Sequence, residues 1–259
     1  MSTPSPLGAT PSLESVRNGN ALLQFGHRGD AVAQVQFLVG TFVDRGFGNF
    51  TKAAITAFQD AQGIQVSAED KGKVNAETLA ALEAANKPTL DSLAKIDKRN
   101  KKAQLMLEFR KKMAALAERL AARGMDALIT DGFRTFQEQD KLFAQGRTEP
   151  GDIVTNARGG ESNHNYGMAV DLYPVIGGHV FTEPTAANEQ RFGEIQQAII
   201  DEAEALGLTS GTTFGNLGDK PHVQLLPENT FSAKHKAFPI FKASGESFDA
   251  VWNEARKLL

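Results

Sequence analysis

Apolar residues recur at steps of three and four in two separate stretches of the chain, and the polar segments between them set the limits of each stretch. In the first, Val32, Val35, Val39 and Phe42 predict a helix, with Asp30 after Gly29 as its N-cap. Ala54, Ile55 and Phe58 predict a second helix that begins near Thr51 and stops before Gly63. Leu79 and Leu82 predict a third after Asn75. Three short helices with Gly-rich turns make a small bundle over residues 21–87. The preceding 1–20 are polar and read as a flexible tail. Residues 88–102 turn polar and charged, as expected of a linker where few contacts cross.

The second stretch, 103–259, opens with Leu105, Phe109, Met113, Leu116 and Leu120, one face of an amphipathic helix that Gly124 ends. Asp126 to Phe133 reads as a strand. Thr135 and Glu138 have the capping-box spacing that opens a helix running to about Gly146. A further helix spans about Ala186 to Leu206, with Phe192, Ile195, Ile199 and Leu206 facing inward. Strand-like pieces at Ala169 to Val175 and His222 to Leu226 complete a mixed α+β domain with a small antiparallel sheet. The segment after Leu226 carries no assignable role. Overall the fold class is α+β, a helical bundle followed by a mixed domain.

The chain has 259 residues, 41% of them hydrophobic, enough to bury a core in each of two units. A formal net charge of −3 offers no general attraction to nucleic acid. Lys95, Lys98, Arg99, Lys101, Lys102, Arg110, Lys111 and Lys112 form a local basic cluster, read as a charged linker and solvated helix face. Without cysteine there is no disulfide, thiolate metal ligand or thiol nucleophile. The first twenty residues lack the basic start and apolar run of a secretory signal, and no run is long enough for a membrane helix. Those features predict a protein made in the cytoplasm and not inserted in a membrane.

The chemistry concentrates in Ser162-Asn163-His164-Asn165-Tyr166-Gly167-Met168-Ala169-Val170-Asp171. A His and an Asp seven residues apart can meet one metal ion where a turn feeds directly into a strand. Gly167 permits the turn and Ala169 leaves room beside the ion. Imidazole and carboxylate suit Zn2+, and a catalytic zinc needs three protein ligands with one position open. His222, opening a strand in Asp219-Lys220-Pro221-His222, is the best third ligand; His27, His179 and His235 lack that setting. Asp219 is the candidate general base. Arg134 is the candidate clamp, for either an oxyanion or a substrate carboxylate. Ser162 reads as a substrate contact or a turn cap.

These residues resemble the zinc D-Ala-D-Ala carboxypeptidase, or VanY-type, superfamily and its ligand motif Ser-x-His-x-x-Gly-x-Ala-x-Asp. Asp131-Gly132-Phe133-Arg134-Thr135, Glu138-Gln139, Gln145-Gly146-Arg147-Thr148, Pro150-Gly151 and Asp219-x-Pro221-His222 are similar to its L-alanyl-D-glutamate endopeptidase subgroup, which includes phage endolysins. The resemblance implies a peptidoglycan hydrolase that cleaves the L-Ala to D-Glu bond, accumulates in a bacterial cytoplasm and reaches the wall after release. A D,D-carboxypeptidase and an inactive wall-binding protein are the alternatives. The tryptophan-rich stretch that often precedes the last ligand in the subgroup is here Thr212 to Gly218, and Trp252 is the only Trp. Residues 21–87 resemble the common peptidoglycan-binding domain through Gly29-Asp30, Val32, Val35-Gln36, Phe47-Gly48, Thr51, Ala54-Ile55, Phe58-Gln59 and Thr78-Leu79. The implied partner is peptidoglycan, and the chain is expected to be a monomer.

Overall fold

Helical periodicity becomes burial in both parts of the chain. The computed structural model describes residues 8–93, 104–213 and 219–259, which fall into two compact units meeting at residue 87. In the first unit lie α1 (Leu13–Arg17), α2 (Asp30–Val39), α3 (Asn49–Ala61) and the greater part of α4 (Ala76–Leu93). Val32, Val35, Ile55, Leu79 and Leu82 are fully buried. Leu38, three residues after Val35, takes the inward place expected of Val39, and left-handed Gly40 ends α2.

Several details differ from the sequence reading. Asp30 is the first residue of α2, Gly29 is the cap, and the Asp30 carboxylate is held by Arg45 instead of by helix amides. Part of the expected tail is ordered: Ser12 caps α1, which buries Leu13 and Val16. Helix α4 continues into the expected linker as far as Leu93, and 94–103 lie outside the described residues.

The second unit is a five-stranded antiparallel sheet with helices against it. Helix α5 (Leu107–Ala122) precedes β1 (Asp126–Asp131) and α6 (Phe136–Ala144). Then come β2 (Ala169–Ile176), β3 (His179–Val180), α7 (Glu189–Ala205), β4 (Thr209–Ser210) and β5 (His222–Gln224). The path is β1-β2-β5-β4, with β3 pairing β2. Leu105, Phe109, Met113, Leu116 and Leu120 are all at most 2% exposed. At about 25 cal/mol per Å² of apolar surface, such a stripe is a principal stabilising element. Arg110, assigned to the solvated basic cluster, is instead fully buried, because it shares the inward side of α5 with Met113 and Ala114. Burial lowers its guanidinium to about 9, against the opposing charge of Glu108.

The segment beyond Leu226 is also folded. A π-helical turn (Ala233–Ala237) leads into α8 (Phe238–Ala243) and α9 (Phe248–Arg256). Fully buried Trp252 donates its indole N–H to the Tyr166 carbonyl at 2.7 Å. Phe136, Tyr166, Phe241 and Phe248 pack on one another in edge-to-face and tilted pairs.

Gly167 sits where this unit is most constrained. Its φ is 63°, and a Cβ there would lie 2.0 Å from the Gln104 carbonyl oxygen. Gly177 has nearly the same φ, 58°, and open space around it. Both glycines relieve the left-handed cost of about 1–2 kcal/mol, but only Gly167 also avoids a clash. We therefore expect Gly167→Ala to lower the melting temperature by clearly more than Gly177→Ala. Equal shifts in thermal denaturation would show that the close approach to Gln104 is unimportant.

Candidate metal centre

Register in the sheet brings the polar residues together. Asp171 on β2 pairs directly with His222 on β5, so both side chains rise from one face. On the other side of β2, Ile129 pairs with Leu172 but Asp131 pairs with Asp171, which makes Thr130 the extra residue of a bulge. The bulge puts Asp131 on the same face. Met168 and Ala169 then lead back to a short 3-10 turn, Asn163–Tyr166, that carries His164. Ser162 caps this turn through the His164 amide, and Gly167 closes it left-handed.

Three donor atoms converge as a result. His164 Nε2 lies 3.3 Å from His222 Nδ1, and each nitrogen is 3.4 Å from Asp171 Oδ1. Around zinc with bonds of about 2.0–2.1 Å, the edges of a regular tetrahedron measure about 3.3–3.4 Å. The opposite ring nitrogens are engaged elsewhere. His164 Nδ1 is 2.8 Å from the Gly132 carbonyl and must donate to it. His222 Nε2 is 3.0 Å from Gln224 Oε1. Two imidazole lone pairs therefore face each other and a carboxylate oxygen that is buried without a hydrogen-bond donor. Such an arrangement calls for a cation, and the nitrogen and oxygen donors suit zinc.

The electrostatics reflect how closely the three groups lie. Burial by itself raises the Asp171 carboxyl, but His164 and His222 outweigh it and hold the group well below the usual carboxylate range. Burial lowers His222, yet the adjacent Asp171 wins and its imidazole is raised. Partial desolvation, and next the Asp171 charge, push Asp219 upward.

A cleft of about 470 Å³ opens over the site, and Arg134, Ser162, Asp219, Leu142, Val154 and Glu228 contribute to its walls. Arg134 is fixed from behind. Its Nε and Nη2 donate to Asp131 Oδ2 at 3.0 and 2.5 Å, and Nη1 donates to Gln139 Oε1 at 2.7 Å. Two of its five N–H groups thus lack a hydrogen-bond partner among the described residues, and Nη2 is 3.6 Å from Asp171 Oδ2. Asp219 is placed by its backbone, donating to the Gly211 carbonyl at 2.7 Å and accepting from the His222 amide at 3.0 Å. A Cβ on Gly211 would lie 2.1 Å from the Asp219 carbonyl oxygen, so that contact requires glycine.

All six residues singled out from the sequence, His164, Asp171, His222, Asp219, Arg134 and Ser162, line this one cleft. The sequence motifs include Asp131, Gln139 and Asn163 but give no role to them or to Gln224; Asp131 and Gln139 aim Arg134, and Asn163 and Gln224 support the histidines. Gln224 had a readable signal, since two residues along a strand from His222 is the same face. Of the departing stretch Thr212 to Gly218, residues 214–218 lie outside the described residues.

The D-alanyl-D-alanine carboxypeptidase (VanY) model matches residues 102–202, and a peptidoglycan binding domain model matches residues 30–82. The first range contains His164 and Asp171 and ends before Asp219 and His222. The peptidoglycan L-alanyl-D-glutamate endopeptidase CwlK of Bacillus subtilis (strain 168) is 40% identical over 115 residues, 44% of this chain and 68% of that protein. Two solved structures are also similar. The LdcB LD-carboxypeptidase is 16% identical with a TM-score of 0.41, covering 61% of this chain and 73% of that one. The Serratia marcescens L-Ala D-Glu endopeptidase ChiX is 20% identical with a TM-score of 0.32, covering 55% and 90%. On the strength of its match to the Bacillus protein, this chain belongs to the VanY-type family of peptidoglycan peptidases.

Proposed function

We propose that the protein is a zinc-dependent peptidoglycan hydrolase that cleaves the L-alanyl-D-glutamate bond of stem peptides. The observation that carries the zinc reading is the triangle of His164 Nε2, Asp171 Oδ1 and His222 Nδ1 with edges of 3.3–3.4 Å. The choice of bond is supported by the 40% identity to an endopeptidase of that specificity.

Zinc held by these three residues supplies Lewis acidity, which polarises a carbonyl and makes water acidic near neutral pH. The chain's own groups do the rest. Asp219, at the edge of the cleft, takes the proton from the attacking water and delivers it to the departing amine nitrogen. Its raised affinity for protons suits both halves of that transfer. Arg134, at the cleft wall, would offer its remaining N–H capacity to the scissile carbonyl oxygen or the D-Glu carboxylate. Asp131 and Gln139 fix the guanidinium before substrate arrives, so little side-chain entropy is lost on binding. Ser162 spends its hydroxyl on the His164 amide and serves chiefly to shape the turn.

The N-terminal helical unit binds the wall and so raises the local concentration of the peptidase at a polymeric substrate. Among the described residues no helix is long and apolar enough to cross a membrane. By resemblance to phage endolysins, the protein is made in the bacterial cytoplasm and released to the wall.

Zinc added to chelator-treated protein is expected to raise its melting temperature with increasing concentration, as any ligand of the folded state does. His164→Ala should abolish that shift. A zinc-dependent shift of equal size in the variant would exclude His164 as a ligand.

Digestion of purified peptidoglycan, read by mass spectrometry, is expected to expose new N-terminal D-Glu with the metal-loaded protein and none after chelation. Free D-Ala as the only product would indicate carboxypeptidase activity instead, and binding without any product would indicate an inactive wall-binding protein. Asp219→Asn should lower kcat by about 10²- to 10⁴-fold while zinc binding is retained. Full activity in that variant would remove Asp219 from the mechanism.

A further inference from the structure

His164 and His222 are oriented by different kinds of partner. The hydrogen on His164 Nδ1 goes to a backbone carbonyl, that of Gly132, which no side-chain substitution removes. His222 Nε2 instead faces a side chain, Gln224 Oε1, at 3.0 Å. We propose that Gln224 is a positioning residue that selects which ring nitrogen His222 presents to the metal, and that Asn163 locks Gln224 in the required orientation. The inference rests on the metal-centre reading above and adds a determinant outside the ligand set.

A neutral imidazole carries one hydrogen, on either nitrogen. Asp171 Oδ1, 3.4 Å from His222 Nδ1, is a buried acceptor that draws the hydrogen to Nδ1. A hydrogen there would occupy the lone pair that a metal ion needs. Gln224 opposes this by offering an acceptor to Nε2. Its amide has no freedom to turn over, because Gln224 Nε2 donates to the Leu226 carbonyl at 2.7 Å. Asn163 Nδ2 donates to Gln224 Oε1 at 2.9 Å. A flipped amide would set N–H against N–H at Asn163 and at His222, and oxygen against oxygen at Leu226. Asn163 is held in turn by Glu228 Oε2 at 3.3 Å, and Glu228 Oε1 accepts from Ser232 Oγ at 2.5 Å.

The same contacts tie the two ligand-bearing segments together. Asn163 immediately precedes His164 in the 3-10 turn, and Gln224 lies two residues beyond His222 on β5. Both side chains are nearly or wholly out of solvent, at 7% and 2% exposure. In such surroundings an unsatisfied amide is costly, so the brace holds together or fails as a unit. It also extends to the segment beyond Leu226, whose Glu228 and Ser232 close the chain of hydrogen bonds.

The test compares wild type with Gln224→Met, which removes the acceptor, and Gln224→Glu, which keeps one. Zinc affinity of the full chain is measured by competition with a chromophoric chelator, and the His222 tautomer of metal-free protein by long-range ¹⁵N–¹H correlation. Gln224→Met is expected to lose about 10- to 100-fold in zinc affinity, with the hydrogen moving from Nε2 to Nδ1. Gln224→Glu should keep the Nε2–H tautomer and recover most of the affinity. Asn163→Leu, which leaves Gln224 in place but unlocks its amide, should shift both readouts in the same direction by less. An unchanged tautomer in both Gln224→Met and Asn163→Leu overturns the proposal, even if zinc affinity falls, because the effect would then be general loosening. If wild type binds no zinc, the metal-centre reading fails first, while the tautomer measurement on metal-free protein still decides the role of Gln224.

Discussion

The buried Asp171 carboxylate is the constraint on which the rest of the catalytic unit depends. One of its oxygens sits at 3.4 Å from two imidazole nitrogens with no hydrogen-bond donor of its own. Isolated negative charge in such a place is strongly unfavourable. Arg134 Nη2, 3.6 Å from the other oxygen, offsets part of it, and a divalent cation or protons on the histidines offset the rest. The surrounding sheet, turn and loop are arranged so that the donors converge beneath an open cleft.

That convergence is assembled from elements with different tolerances. The Asp171–His222 cross-strand pair is fixed by register, and a one-residue slip would send either side chain to the opposite face, toward the helices. His164 depends on a tighter device, a capped 3-10 turn closed by left-handed Gly167 against the Gln104 carbonyl. Arg134 depends on the bulge at Thr130, which brings Asp131 onto the metal face and lets it grip the guanidinium. On the proposed mechanism, rigid placement of these groups before substrate arrives lets hydrogen bonds stabilise developing charge without reorganisation. The C-terminal helices support the same turn from behind through Trp252 and a cluster of aromatic rings.

Much of this is legible in the sequence, for identifiable reasons. The helices α5 and α7 follow from apolar spacing, and the capping box at Thr135 and Glu138 marks the start of α6 to the residue. The spacing of His164, Gly167, Ala169 and Asp171 implies a turn running into a strand, because glycine and a small residue are needed at those two points. What escapes is set by contacts distant in sequence. Asn163 and Gln224 are 61 residues apart, and neither type of side chain announces a partner. Arg110 was assigned to solvent by its charge, although its place on the helix put it inward. The segment beyond Leu226 has an amphipathic helix in Val251, Trp252 and Ala255, but its role is clear only once the indole is seen to reach Tyr166.

The central claim is that one zinc ion joins His164, Asp171 and His222. Zinc-edge anomalous diffraction from crystals of the zinc-loaded protein tests it directly. The account predicts a single strong peak within about 2.0–2.2 Å of His164 Nε2, Asp171 Oδ1 and His222 Nδ1, with one further position open to solvent. A peak elsewhere, or none at full zinc loading, would contradict it.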